Sequence, residues 1–305
     1  MRMCVAPFLA VSAIVCFHGP MEAWAASPSE SFDYFANNWN VVGLKDYVHG
    51  SRITPENELL LAGKTAIQVR LGPDRTPLSR VHGKRAMGGW MPIILVDAVQ
   101  GPVRYEIAYW ATPLPDVKNW RKAFGWPTEG ENFLAWIRVR AVNTSAEQVE
   151  ASVEIGPNPK STRPKRFVEQ ETEPKIDKPP TRVHRWSWRL PAGGTAQGVA
   201  RYTFMPTDAP KAYDTQAAEV WLKRTEEFWR GMMADRAKIV VPDRKASEAL
   251  LAAPVCQLIA HDHAELRGGE NFYDRFYPRA GASQVMELPE AGLIHPAGQA
   301  MEYLP

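Results

Sequence analysis

A mainly β amino-terminal region followed by an α-helical one is the fold class that the sequence predicts, on three observations. Between 31 and 206, short β-branched and aromatic runs alternate apolar and polar residues with a period of two. Gly, Pro, Asn and Asp turns separate those runs. After Thr207 the apolar residues recur at helical spacing instead.

The first 25 residues read as a secretory signal: Arg2 is the charged start, 4–17 the apolar run, and Ala23-Trp24-Ala25 a small-x-small cleavage site before Ala26. About 14 apolar residues fall short of the roughly 20 that span a bilayer, so export is expected over anchoring. Val15 before Cys16 argues against a lipoprotein signal, which wants a small residue there. Cleavage removes Cys4 and Cys16 and leaves Cys256, so no internal disulfide is expected, which fits a periplasmic or secreted protein. Cys256 lies in an apolar helical run and is expected to be a small buried hydrophobe.

Alternation is clear in 66–71, 103–109 and 136–142, and 182–190 offers a further strand with Trp186 and Trp188 on one face. Many such strands predict antiparallel sheets with one face in the core and the other in water, hence a sandwich. Between 156 and 180 the chain turns polar and Pro-rich and is expected to be a long exposed loop between two strands. In 207–241 the residues Tyr213, Ala217, Val220, Trp221, Phe228, Trp229 and Met232 mark one apolar face of a linker helix. Asp243 is placed to N-cap a helix through Ala246, Ala249, Leu250 and Ala253, which Pro254 should kink or restart. The last helical candidate, 282–303, is interrupted by Pro289, Gly292 and Pro296.

One segment carries a chemical signature. Residues 268–281 place Phe272, Tyr273, Phe276 and Tyr277 among Glu270, Asp274, Arg275 and Arg279. Rings beside carboxylates and guanidinium groups suit a sugar, whose C–H faces pack on rings while its hydroxyls need polar partners. The same residues also fit an aromatic helix start in an ordinary core.

The segment resembles the opening of the helical barrel in the six-hairpin glycosidases, the glucoamylase-like superfamily, where a loop reading roughly Tyr-x-x-x-Tyr-x-Arg-Asp-Gly precedes an inner helix. Tyr273, Tyr277, Arg279 and Gly281 fit that pattern, and Ala280 stands where the family carries Asp. The resemblance implies a mainly β supersandwich at 26–206, a helical linker at 207–241, and the start of an incomplete (α/α)6 toroid at 242–305. It also implies that Arg279, Tyr273, Tyr277 and Asp274 touch sugar. Ala280 has no carboxylate with which to hold the hydroxyl that the family's Asp holds. The activity implied is hydrolysis of O-glycosidic bonds in oligo- or polysaccharides. That reaction needs two carboxyl groups across the scissile bond. In the resembling enzymes both come from later in the barrel, and six hairpins need on the order of 300 residues. The chain is therefore expected to be a fragment that lacks the catalytic carboxylates and turns over nothing by itself.

Other clusters have plainer readings beside the chemical one. Glu129 and Glu131 sit two apart in a turn, where solvated carboxylates are far commoner than an acid–base dyad. Trp110, Trp120 and Trp126 form an aromatic sugar platform or simply core. His261-Asp262-His263 has ligand-type residues, but without a third group nearby a helix-terminal role is favoured over zinc. His49 and His82 are isolated, and no metal, cofactor or catalytic residue is assigned. A formal charge of +2 gives no electrostatic case for nucleic acid, and 11 Trp and 45% hydrophobic content suffice for buried cores. The expected partner is an oligosaccharide or polysaccharide. The alternative is a noncatalytic carbohydrate-binding or structural sandwich. A polysaccharide lyase is disfavoured because its toroid usually precedes its sandwich, the reverse of the order read here.

Overall fold

A computed structural model of the chain describes residues 38–47, 50–62, 65–78, 83–128, 131–161, 181–207, 213–267 and 276–303. The expected signal, His49, His82, Glu129, Tyr273, Asp274 and most of the 156–180 loop lie outside the described residues. The residues from Asp33 onward form one compact unit.

The fold is mainly β, as the period-two alternation predicts: two antiparallel sheets and five helices among the described residues. The seven-stranded sheet runs β1 (Asn40–Val42), β2 (Ser51–Ile53), β3 (Leu59–Leu61), β4 (Thr65–Leu71), β10 (Val149–Pro157) and β11 (His184–Leu190), with β5 (Thr76–Pro77) also on β4. The five-stranded sheet runs β12 (Thr195–Thr203), β9 (Phe133–Asn143), β8 (Val103–Pro113), β7 (Met91–Gln100) and β6 (Arg85–Met87). The helices are α1 (Trp120–Gly125), α2 (Ala218–Met232), α3 (Arg244–Ala260), α4 (Pro278–Glu290) and α5 (Ile294–Tyr303).

The core lies between the sheets. Register sets Tyr109 opposite Ile137, and Ile155 opposite Val69, so alternate residues of each strand meet across the interior. Two tyrosines keep their hydroxyls satisfied there by reaching the facing sheet or its loops: Tyr109 donates to the Asn57 carbonyl at 3.0 Å and Tyr202 to the Ile155 carbonyl at 3.2 Å. At one edge β11 passes over β12, and a Cβ at Gly198 would come within 2.5 Å of the Trp186 ring. Glycine is the residue that admits the indole at that spot.

The expectation of a solvated outer face fails for the five-stranded sheet. Its outer face carries Trp110 and Trp136, paired in register and stacked at 5.3 Å with 8° between their planes, and both are fully buried. Helix α2 accounts for this. Trp221 and Trp229 are buried on it, its Glu219 takes both hydrogen bonds from Arg138 of β9 at 2.8 Å, and its Thr225 hydroxyl donates to the Ala111 carbonyl of β8 at 3.3 Å. Helix α1 packs beside α2 through Phe124 and Phe228, stacked at 5.2 Å.

Asp243 caps α3 as expected, accepting from the Ala246 N–H at 2.9 Å. Pro254 does not restart that helix, which runs on to Ala260; Leu250, whose carbonyl loses its partner, lies on the exposed side. Cys256 is exposed, contrary to expectation, because α3 buries Val255, Leu258 and Ile259 and turns Cys256 away from that stripe. The 282–303 segment is two helices instead of one broken helix. Gly292, at φ +82°, supplies the left-handed turn, and a Cβ there would lie 2.5 Å from the Ala237 backbone nitrogen. No helix among the described residues is long and apolar enough to cross a membrane.

A half-buried histidine, His184, sets part of the acid sensitivity, the buried His261 contributing in the same direction. His184 stacks on Trp186 at 5.7 Å and meets the edge of Tyr202 at 5.6 Å; burial, aided by the charge of Arg182, pushes its pKa down to about 4. The unfolded chain takes up this proton near pH 6.5, while the folded one refuses it until about pH 4. Stability should therefore fall as pH drops through that window, by at most about 1.4 kcal/mol per pH unit for this group. His184→Phe should flatten that limb in urea titrations at pH 7, 6, 5 and 4.5. An unchanged slope would assign the acid sensitivity elsewhere.

Candidate functional site

Four segments remote in sequence meet at one end of the sandwich: the turn after β1, the turn after α1, the turn after α3, and α5. Lys45 and Asp46 come from the first. Both are buried, at 2% and 1% exposure, and are ion-paired to each other, with Asp46 held at φ +61°. The Lys45 ammonium also donates to Gln299 Oε1 of α5 at 3.1 Å and sits 5.9 Å from the Trp126 ring. Burial raises the Asp46 pKa and the charge of Lys45 opposes that rise.

The turn after α3 follows from local chemistry. His261 leaves the helix in an extended conformation, and a β-bridge between Asp262 and Glu265 folds the chain back with His263 at φ +49° and Ala264 at φ +68°. The two histidines thereby diverge. His261 points inward, 2% exposed, with Nδ1 3.7 Å from Asp46 Oδ1; burial and then the charge of Lys45 push it down to about 3, so it is neutral. His263 points outward at 41% side-chain exposure, with Nδ1 2.8 Å from Asp262 Oδ1 and 3.1 Å from Glu131 Oε1. Arg267 pairs with the other oxygen of Asp262 and lies 3.6 Å from Glu265.

Trp126 closes one side, its ring edge-on to the His263 imidazole at 5.7 Å. Behind it Tyr47 donates to the Ala123 carbonyl at 2.7 Å, and burial pushes its phenol up to about 12, so it stays protonated. The result is a half-exposed patch of one indole, one imidazole and two carboxylates over a buried ion pair.

This patch adjoins the segment that the sequence singles out. Arg267 and Phe276, the residues that flank 268–275 in the sequence, form a β-bridge, and Phe276 meets Tyr303 of α5 edge-on at 6.1 Å. Of the four residues expected to contact sugar, Tyr273 and Asp274 lie outside the described residues. Tyr277 is the N-cap of α4 at 40% exposure, and Arg279 follows in the first turn, exposed, as is Ala280. Gly281 is needed for packing: a Cβ there would lie 2.6 Å from the Phe276 ring.

The three tryptophans of the possible platform separate. Trp110 is core, Trp126 belongs to the patch, and Trp120 lines a groove of about 830 Å³ between α1, α2 and the α4–α5 turn, with Phe124, Phe228 and Leu293. That groove is less suited to a sugar than the patch. Two guanidinium groups, Arg224 at 4.2 Å and Arg121 at 4.6 Å, already cover the Trp120 ring.

Sequence reasoning misses Lys45, Asp46, Arg267 and Gln299. The adjacent opposite charges of Lys45 and Asp46 between apolar Leu44 and Tyr47 are the available signal, since charges inside an apolar run are buried only when paired. Glu131 and the His261-Asp262-His263 triplet each have an ordinary explanation when taken separately; the fold joins them. No family model and no curated protein matches the chain.

Proposed function

We propose that the protein is a carbohydrate-active protein of the glycoside-hydrolase type that holds a saccharide over the patch of Trp126, Glu131, Asp262 and His263. The observation that carries the reading is that Arg267, whose guanidinium pairs with Asp262 of this patch, is bridged to Phe276, so the patch adjoins the two residues that flank 268–275 in the sequence. An indole supplies a packing surface for sugar C–H groups, and carboxylates and imidazole supply hydroxyl partners. Further support comes from the resemblance of Tyr273, Tyr277, Arg279 and Gly281 to the six-hairpin glycosidases. In that reading the two sheets are the supersandwich, α4 and α5 the first hairpin of an (α/α)6 barrel, and residues 1–25 an export signal to the periplasm or beyond.

Binding without turnover at this patch is favoured by its geometry. Asp262 Oδ1 and Glu131 Oε1 lie 2.8 and 3.1 Å from the same nitrogen of His263. Hydrolysis uses two carboxyl groups that face each other across an open gap holding the scissile bond. Here both carboxylates converge on a single imidazole nitrogen.

Calorimetric titration of the full chain with gluco-, manno- and xylo-oligosaccharides, α- and β-linked, checks the reading alongside a reducing-sugar assay. Saturable binding of at least one series without release of reducing ends is expected. Absence of binding across the panel would remove the carbohydrate assignment, and turnover lost in Glu131→Gln would make the patch catalytic.

A further inference from the structure

We propose that the outer face of the seven-stranded sheet binds a dianionic oxyanion, as free phosphate or sulfate or as a phosphomonoester, at Arg70, Arg75 and Arg185. The site follows from strand register. Val153 and Ile155 of β10 face the core, so Glu154 between them faces outward. It lies directly opposite Arg70 of β4 on one side and Arg185 of β11 on the other, which puts all three side chains on one face. The β4–β5 turn adds Arg75. Arg70 Nη1 and Arg185 Nε donate to the Glu154 carboxylate at 3.1 and 2.7 Å, and Arg75 Nη1 lies 3.4 Å from it.

Charge is out of balance at this point. Three guanidinium groups face one carboxylate, which leaves two positive charges in excess. The hydrogen bond from Arg185, above all, holds the Glu154 carboxyl below its usual range, so it is ionised at neutral pH. Asp74 stands in the same turn as Arg75 but pairs with none of the three, and the neighbouring Glu150 is matched by Arg189 at 3.6 Å. The guanidinium groups repel one another, and a dianion cancels their excess while their planar forks match its oxygens. Exposure agrees with this. The Glu154 side chain is 10% exposed, while those of Arg75 and Arg185 stand in water at 59% and 60%. Ser152 and Ser187, paired two residues along the same face, line the same hollow of about 420 Å³, which has room for the ion and the group that carries it. Arg75 is held at φ +50°, a left-handed conformation that long side chains rarely adopt and that is found where a side chain is aimed at a ligand.

The site shares no residue with the Trp126 patch, so its test and that of the saccharide reading succeed or fail separately. The full chain is titrated by calorimetry with sodium sulfate, sodium phosphate, methyl phosphate and sodium acetate at about pH 8, where phosphate and its monoesters carry two charges, and at one ionic strength. Saturable binding of a dianion at one equivalent is expected, with acetate about tenfold weaker or more because it brings half the charge. Methyl phosphate binding more tightly than inorganic phosphate assigns the site to a monoester, and the reverse order assigns it to the free ion. Arg75→Ala and Arg185→Gln should each weaken binding about tenfold, the loss of one charge-assisted contact. Glu154→Gln should strengthen it, because the competing carboxylate is gone; a purely structural ion-pair cluster would show no such gain. Arg75 is an exposed turn residue, so Arg75→Ala carries the test if a strand variant does not fold. The proposal is overturned if no dianion binds, if acetate binds as tightly, if affinity is unchanged in the folded arginine variants, or if it does not rise in folded Glu154→Gln.

Discussion

Replacing Lys45 by Met should lower the unfolding free energy by about 3–5 kcal/mol, the cost of leaving one member of a buried ion pair alone. Lys45 and Asp46 are 2% and 1% exposed, and the ammonium also donates to Gln299 Oε1 at 3.1 Å and to the Gly125 carbonyl at 3.4 Å. Methionine fills the same space and removes all three partners at once. The Asp46 carboxylate is then buried without a counter-charge. The double variant Lys45→Met with Asp46→Asn should regain more than half of the loss, because an amide carries no charge to desolvate and asparagine tolerates the φ of +61° that this position requires. Chemical denaturation of the two single variants and the double variant gives the coupling directly. A cost below about 1 kcal/mol for Lys45→Met would mean that the pair behaves as a solvated surface contact.

Trp136→Ala should cost about 3–5 kcal/mol as well, for a different reason. Its indole is fully buried on the outer face of the five-stranded sheet, stacked on Trp110 at 5.3 Å, with the Arg201 guanidinium 4.9 Å from its ring. Its N–H donates to Thr112 Oγ1 at 2.8 Å, so truncation opens a cavity and removes the donor to a buried hydroxyl oxygen, which keeps only its own bond to the Pro113 carbonyl. Trp136→Phe keeps a ring in the stack and should cost less than half as much. The near-ultraviolet circular dichroism signal of the coupled indoles should vanish in the alanine variant and weaken in the phenylalanine one. Loss of stability with the signal intact would place the stack outside the helix-covered layer.

The sandwich is legible in the sequence because period-two alternation is a local signal: 66–71, 103–109 and 136–142 each fall inside an observed strand. The second layer has no such local signal. Trp110 and Trp136 occupy positions that alternation assigns to solvent, and only the return of α2 onto that face buries them. The helical hairpin is obscured when its prolines are read as breaks. Pro296 is the third residue of α5, in the first turn, where backbone N–H groups have no helical partner to lose, and Gly292 makes the turn itself. The patch lies beyond a linear reading for the same reason as the layer. Glu131 and His263 each sit in a polar turn with an ordinary explanation, and their meaning depends on the fold bringing those turns within 3.1 Å.

The measurement that bears most directly on the account is a crystal structure of the protein grown with the oligosaccharide that binds best in solution. A sugar ring packed on Trp126 with hydroxyls on Glu131, Asp262 or His263 is the expected result. Saccharide bound only in the Trp120 groove, or a patch left empty at saturating ligand, would contradict it.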